Sequence, residues 1–238
     1  MNVRAVFFDA GHTLLHAWPS VGEIYAREAA ALGVNVEPGR MGAAFSKVFA
    51  DNEAELAANS LGAPASDEQD AAMWRSIVHQ VQSHTPELRG LDPQAWYLRL
   101  YEVFGQADHW RLYPEVEGVL KALRARGLKI GIISNWSTRI RHIAQETGLD
   151  ALVDFIVASS EAGARKPDPH IFHVALHRAG VSPGRAVHIG DQVEDDVRGA
   201  ERMGITPVFL WRKPGPPPAL NGTAIVKDLS EFLAWLGA

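Results

Sequence analysis

Four apolar runs in this chain end in groups that can do chemistry. Val3–Phe8 stops at Asp9, and Leu128–Ile133 stops at Ser134-Asn135. Ala186–Ile189 leads into Gly190-Asp191, followed by Glu194, Asp195 and Asp196. After a further run, Phe155–Ala158, comes a loop carrying Lys166 in Ala164-Arg165-Lys166-Pro167-Asp168-Pro169. Asp9 and Asp191 are hard oxygen donors of the kind Mg²⁺ takes, with water completing its shell. An ammonium such as Lys166 stabilises both a carboxylate and a transferring group. A hydroxyl such as Ser134, with backbone N–H groups, holds phosphoryl oxygens. Attack by Asp9 on phosphorus would give an acyl phosphate that water hydrolyses.

Each group also has an ordinary structural role. Asp9 after a strand is a natural turn or cap residue. Ser134-Asn135 can cap a helix. Lys166-Pro167 can be a solvated loop. Asp195-Asp196 suits a helix start, where the dipole favours negative charge. From Asp9 alone, nucleophile, metal ligand and strand cap all stay open. Taken together, the structural roles require four reactive groups to fall at successive strand ends by accident.

The elements that must position these groups follow from periodicity. Residues 16 to about 110 read as four or five helices with no strand, their apolar positions recurring at helical spacing (Val21, Ile24, Tyr25, Ala29; Met41, Phe45, Val48, Phe49; Trp74, Ile77, Val81). Breaks fall at Gly33, Pro38-Gly39, Gly62-Ala63-Pro64 and Asp92-Pro93, and Ser66-Asp67-Glu68 reads as a helix start. From Leu112 onward strands and helices alternate. The strands are Leu128–Ser134, Phe155–Ala158, Ala186–Ile189, Pro207–Leu210 and Ala224–Val226. The helices are Val116–Arg126, Ile140–Glu146, Pro169–Ala179, Val193–Met203 and Leu229–Leu236. Alternation of this kind predicts an α/β fold: a doubly wound parallel, Rossmann-like sheet. The expected division is an α/β core of residues 1–15 and 111–238 and an inserted helical-bundle cap of residues 16–110. In a parallel sheet the strand ends named above share one crevice.

Composition limits the partners. The 238 residues are 47% hydrophobic and 21% charged, with net charge −5 and no long basic run, which argues against nucleic acid as a principal ligand. The chain has no cysteine, so it has neither disulfides nor thiolate metal sites, and a reducing cytoplasm is the expected location. Met1 runs straight into the first strand without a charged, cleavable leader, so no signal peptide is expected. No apolar stretch approaches the roughly 18 residues of a spanning helix, and no membrane association is expected. Nothing in the sequence speaks to oligomeric state.

The ordered set Asp9…Thr13, Ser134-Asn135, Lys166-Pro167-Asp168-Pro169 and Gly190-Asp191…Asp196 resembles the haloacid dehalogenase-like hydrolase superfamily, in its helical-cap, phosphatase-like branch. The resemblance spans essentially the whole chain. Val21–Tyr25 and Ile133-Ser134-Asn135-Trp136 look most like the haloacid dehalogenase-like hydrolase domain-containing proteins. It implies that Asp9 is the nucleophile, that Thr13, Ser134 and Asn135 bind the transferred or leaving group, and that Lys166 orients the charges. It implies Mg²⁺ on Asp9, Asp191 and the main-chain carbonyl of Gly11, supported by Asp196 or Asp195. The cap would close over a small phosphorylated substrate.

One position departs from the pattern. Phosphatases of this superfamily usually carry aspartate two residues after the nucleophile, as general acid for the leaving alcohol; here it is Gly11. Such an acid is worth about 10²–10⁴-fold. Its absence implies a weak phosphatase, a leaving group that needs no proton, or a substitute. His12 is the nearest substitute. The 2-haloacid dehalogenases also lack this acid and are the main rival. Against them stand Asp191, where those metal-free enzymes use serine, and Phe172, where they use tyrosine. The third possibility is a scaffold without turnover. Trp18, Arg27, Arg40 and Trp74 are possible substrate contacts from the cap.

Overall fold

The computed structural model describes residues 2–237, the side chains of 53–60 excepted. The first strand, β1 (Ala5–Phe8), is buried along its whole length. A tight loop follows, in which Leu14 and Leu15 both donate backbone N–H bonds to the Ala10 carbonyl. The loop delivers the chain to a short strand, β2 (Leu15–Ala17).

Four helices come next: α1 (Val21–Ala30), α2 (Pro38–Ser60), α3 (Asp67–Ser83) and α4 (Pro93–Val103). Their starts are set by local chemistry. Ser20 caps α1 by accepting from the Glu23 N–H, and its hydroxyl donates to the Glu23 carboxylate. Ser66 caps α3 through the Gln69 N–H, and Asp92 caps α4, whose first residue is Pro93. Helices α1 and α2 approach so closely that a Cβ on Gly22 would lie 2.3 Å from the Pro38 carbonyl oxygen. Ile24, Tyr25, Met41, Ile77, Val81, Trp96 and Leu100 of these helices form a hydrophobic cluster separate from those of the sheet, joined by Ala17 of β2.

The chain leaves the helices through β3 (Trp110–Leu112), which pairs antiparallel with β2 in the register Leu15 to Leu112. The reading of residues 16–110 as free of strand is therefore corrected. Each arm of this ribbon has three residues, too few to show an alternating pattern. The ribbon lies where the chain passes into and out of the helices.

After α5 (Val116–Ala125) come β4 (Lys129–Ser134), α6 (Ile140–Glu146), β5 (Phe155–Ala158), the single turn α7 (Ser159–Ala162) and α8 (Pro169–Ala179). Then come β6 (Ala186–Gly190), α9 (Gly199–Arg202), β7 (Thr206–Leu210), β8 (Ala224–Val226) and α10 (Leu229–Gly237). The sheet has six parallel strands in the order β5-β4-β1-β6-β7-β8. Val6, Phe8, Ile130 and Ile132 pack on α5, α6 and α10, while Ala5, Phe7 and Ile133 pack on α8. Alternate residues of one strand thus serve opposite layers, as a doubly wound α/β fold requires.

The winding explains where a site forms. From β1 the chain steps outward to β4 and β5, then returns to the other side of β1 for β6 and β7. The direction reverses at β1, and open α/β sheets have their crevice at such a point. Bonds from α3 also converge on this edge: Asp67 accepts from the Thr138 N–H and hydroxyl at 2.8 and 2.5 Å, and Asp70 pairs with Arg139 at 3.3 Å. Among the described residues no helix is long and apolar enough to cross a membrane.

Candidate active site

Asp9 follows the last residue of β1, at the point where the sheet order reverses. Its N–H is held by the Ile189 carbonyl of β6 at 2.9 Å. Its Oδ1 accepts from Lys166 Nζ at 2.6 Å and from Ser134 Oγ at 3.3 Å. Lys166 also donates to Asp196 Oδ1 at 2.6 Å, so one buried ammonium bridges two carboxylates. Burial works against the ammonium, but the charges of Asp196 and Asp9 outweigh it and raise Lys166 above the ordinary lysine range. Lys166 therefore stays a cation.

Asn135 positions this lysine. Its amide accepts from the Lys166 N–H at 2.7 Å and donates to the Lys166 carbonyl at 3.0 Å. The same NH₂ group donates to Asp195 Oδ2 at 2.8 Å. Ser134-Asn135 do not cap a helix, because α6 begins only at Ile140.

The segment after Asp191 differs from the single helix expected over Val193–Met203. Residues Val193–Arg198 form a wide π-helical turn, and Val197 donates to Gln192 five residues back. α9 follows as a separate short helix. The widened turn lets two adjacent acids serve different partners: Asp195 meets Asn135 while Asp196 meets Lys166. Asp196 is saturated, with Oδ1 also bonded to His188 Nε2 at 2.9 Å and Oδ2 accepting from the Gln192 N–H at 3.0 Å. Gly190 is required beneath it, since a Cβ there would lie 2.1 Å from the Asp196 carboxyl carbon. Burial opposes the Asp196 charge, but Lys166 and the His188 bond hold its pKa below the usual carboxylate range.

Carboxylate oxygens of Asp9, Asp191 and Asp196 come within 4.8 Å of one another. Asp191 contrasts with Asp196. Among the described residues its only side-chain donor is Gln192 Nε2, at 3.3 Å. Burial, with Asp9 and Asp196 nearby, pushes Asp191 well above the carboxylate range, and burial also raises Asp9. With Asp196 already bonded at both oxygens, the acids left for a cation are Asp9 and Asp191, beside the Gly11 backbone. Two under-bonded hard-oxygen carboxylates fit Mg²⁺. Asp195 is lifted to about 7, mainly by burial, and its Oδ1 is buried without a partner.

A cavity of about 210 Å³ opens on this cluster. Asp9, Gly11, His12, Ser134, Asn135, Lys166, Asp191 and Asp195 line one end. Thr13 does not line it: the residue is fully buried and, among the described residues, its hydroxyl has no partner while its carbonyl accepts from Arg212. His12 stands at the wall with a left-handed backbone, φ 57°. The residue is exposed to solvent, and the direction of its pKa shift, below the usual value, comes from the desolvating wall with Lys213 and His16 adding to it. Gly11 presents open space, since a Cβ built there would meet nothing within 4 Å.

The rest of the wall comes from the helices and is mostly apolar and aromatic. Of the four cap residues named from sequence, only Trp74 lines the cavity. Trp18 points to solvent, Arg27 pairs with Glu28, and Arg40 pairs with Glu87. Phe45 and Phe49, which recur at the helical spacing of core positions, face this space. Arg165 was also missed; its Nη1 faces the Met73 sulfur at 2.9 Å and its Nε has no partner. His188 was missed too, for nothing in an apolar strand flags an inward histidine whose role is to hold Asp196.

A carboxylate beside a fixed ammonium, with a second carboxylate unpaired next to it, can attack an electrophile and share a divalent cation. Comparison with known proteins agrees with this chemistry. The zebrafish (Danio rerio) haloacid dehalogenase-like hydrolase domain-containing protein 3 is 36% identical over 98% of this chain and 96% of its own length. A phosphoserine phosphatase of Thermus thermophilus is 36% identical over 55% of this chain and 54% of its own. A magnesium-bound HAD hydrolase of Bacillus subtilis superposes with TM-score 0.78 over 99% of each chain at 15% identity, a likeness of fold alone. The family model of the haloacid dehalogenase-like hydrolases matches residues 3–204, which include every strand end that carries a reactive group. The chain belongs to that hydrolase family.

Proposed function

We propose that this hydrolase is a Mg²⁺-dependent phosphatase of a small phosphorylated metabolite, with Asp9 as its nucleophile. The observation that carries the proposal is the asymmetry of the carboxylates. Asp196 is saturated by Lys166, His188 and Gln192, whereas Asp191, half-buried beside Asp9, has almost no partner among the described residues. A carboxylate in that state is suited to a divalent cation, and one in direct reach of the nucleophile is suited to phosphate chemistry. The relatives named phosphatases support the reaction class.

In this reading Asp9, Asp191 and the Gly11 carbonyl hold the cation, which supplies charge neutralisation for an incoming phosphate. Lys166 fixes Asp9 Oδ1, leaving Oδ2 as the attacking atom. Ser134 and the Lys166 ammonium bind phosphoryl oxygens. Asn135 is a positioning residue for Lys166. Asp9 Oδ2 bonds to phosphorus as the bond to the leaving oxygen breaks. Water then attacks phosphorus and releases phosphate, and the Asp9 carboxylate returns. The helices of residues 16–110 act as the cap that closes the cavity. Thr13 supports the loop through its backbone and has no contact with substrate.

The test is a panel of phosphate esters with and without Mg²⁺, run beside 2-chloropropionate. Mg²⁺-dependent phosphate release that disappears in Asp9→Asn is the expected result. Metal-independent halide release would replace the phosphatase by a dehalogenase, and turnover of neither class would leave a scaffold.

A further inference from the structure

The cavity wall contains an unbroken series of aromatic rings. Phe49 stacks on Phe45 at 5.7 Å with 23° between planes; Phe45 meets Tyr25 at 5.4 Å; Tyr25 meets Phe104 at 5.8 Å. Phe104 then meets Trp110 at 6.0 Å, and Trp110 meets Trp136 at 4.7 Å. Trp74 extends the series beyond Phe49, at 6.4 Å and 21°. All these residues line the one cavity that holds Asp9. The series runs from helices α2 and α3 to the residue after Asn135, so its last ring adjoins the reactive cluster.

Two independent features meet here. The far wall is a surface for planar apolar groups, which prefer offset or edge contacts with neighbouring rings. The near wall lacks a carboxyl at position 11, where nothing lies within 4 Å of a built Cβ. A departing alkoxide needs a proton there, since alcohols resemble water, pKa ~15.7. A phenolate, with a pKa of about 10, depends on it far less.

We propose that the substrate is a phosphate monoester of an aromatic hydroxyl, the ring lying along this wall. The inference rests on the phosphatase reading given above and names its substrate class. Asp9 Oδ2 forms the bond to phosphorus, the phosphorus–oxygen bond to the ring breaks, and its electron pair leaves on the phenolate. The phenolate takes its proton afterwards from solvent. Water attacks the phosphorylated aspartate, loses a proton to solvent, and frees phosphate and the Asp9 carboxylate.

The experiment separates ring recognition from leaving-group reactivity. Non-hydrolysable 1-naphthylphosphonate and cyclohexylphosphonate are compared as competitive inhibitors of the Mg²⁺-loaded enzyme, with acetyl phosphate as the reporter substrate. The naphthyl compound should bind at least roughly 10-fold tighter, and Phe49→Ala and Trp74→Ala should each remove most of that preference. kcat/KM for phenyl phosphate should exceed that for glycerol phosphate by roughly 100-fold or more, the least that a missing acid predicts. Equal inhibition by the two phosphonates, or a preference that both variants leave intact, overturns the aromatic assignment while Mg²⁺-dependent turnover of acetyl phosphate still stands. Failure to hydrolyse acetyl phosphate and every ester overturns the phosphatase reading itself.

Discussion

Replacing Gly11 with aspartate should place a proton donor where phosphatases of this superfamily usually carry one. The backbone accommodates the change: a Cβ at Gly11 meets nothing within 4 Å, and its backbone is outside the left-handed region. The new carboxyl would project from the cavity wall beside Asp9 and Asp191. Those neighbours, and the burial that already raises Asp191, would favour its protonated form, which is the form a general acid needs. A positioned acid is worth about 10²–10⁴ in rate. At 1.36 kcal/mol per decade, this lowers the barrier by roughly 2.7–5.4 kcal/mol for an ester whose leaving group must be protonated. The gain should be much larger for alkyl esters than for aryl esters, because a phenolate is the better leaving group. The assay is kcat/KM for glycerol phosphate and phenyl phosphate in the wild type, Gly11→Asp and Gly11→Asn. For Gly11→Asp the alkyl rate should rise and the aryl-to-alkyl ratio collapse. The alkyl rate should also fall as pH rises through the new carboxyl's pKa, since the acid is then ionised. Gly11→Asn should gain nothing. An equal gain in Gly11→Asn, or none in a Gly11→Asp protein that still binds Mg²⁺, would refute the claim that position 11 faces the leaving group.

Other perturbations have distinct signatures. Mg²⁺ at 100 times its Kd should stabilise the fold by about 2.7 kcal/mol, read as a rise in Tm. Asp191→Asn should abolish that rise, and an undiminished shift would remove Asp191 as a ligand. Gly190→Ala drives a Cβ to within 2.1 Å of the Asp196 carboxyl carbon, which three contacts, from Lys166, His188 and the Gln192 N–H, hold in place. It should destabilise by at least about 2 kcal/mol, a Tm loss of roughly 4–8 °C, and an unchanged Tm would mean that Asp196 is free to move. Burial lowers the pKa of His188, so the unfolded chain binds more protons just below the ordinary imidazole value near 6.5. Its stability contribution is complete above that value and lost as pH falls, by at most about 1.36 kcal/mol per pH unit. His188→Gln should flatten the decline in urea-unfolding free energy between pH 6.5 and 5; an identical slope would place the titration elsewhere.

The sheet and most of its flanking helices could be read from the sequence because each element carries its own period and its own terminators. Phe155–Ala158, Ala224–Val226, Ile140–Glu146 and Pro169–Ala179 fall where the pattern puts them. Two features could not be read that way. The β2–β3 ribbon pairs residues almost a hundred positions apart over three residues per arm, and no local pattern encodes it. The widened turn at Val193–Arg198 contains helix-compatible residues, and its register is set by where Lys166 and Asn135 require their acids. Within the site, strand ends foretold Asp9, Ser134, Lys166 and Asp191 as neighbours. They did not foretell which acid would be saturated, because that depends on His188 and the Gln192 N–H. Thr13 illustrates the opposite limit: a motif position close in sequence to Asp9 that the tight loop turns into the protein. Phe45 and Phe49 sit at helical spacing that cannot distinguish a core face from a cavity face.

Charge explains why these details belong together. Asp9, Asp191 and Asp196 as carboxylates, against the single ammonium of Lys166, leave the cluster two charges negative in a buried setting. A phosphate dianion cannot approach such a cluster without severe repulsion, and the fold alone can reduce the charge only by protonating Asp9 or Asp191, the direction in which burial shifts both. A protonated Asp9 is no nucleophile. A divalent cation held by Asp9 and Asp191, as proposed, would remove the excess charge, keep Asp9 ionised and admit the phosphate. Asp196 has no part in this, because Lys166 and His188 already compensate it. If the cluster instead served halide displacement, Asp191 would add repulsion without return, and neutralising it should speed the reaction. Asp191→Asn therefore discriminates by sign: loss of turnover supports phosphoryl transfer through a metal-assisted Asp9, and a gain on 2-chloropropionate would reverse the assignment.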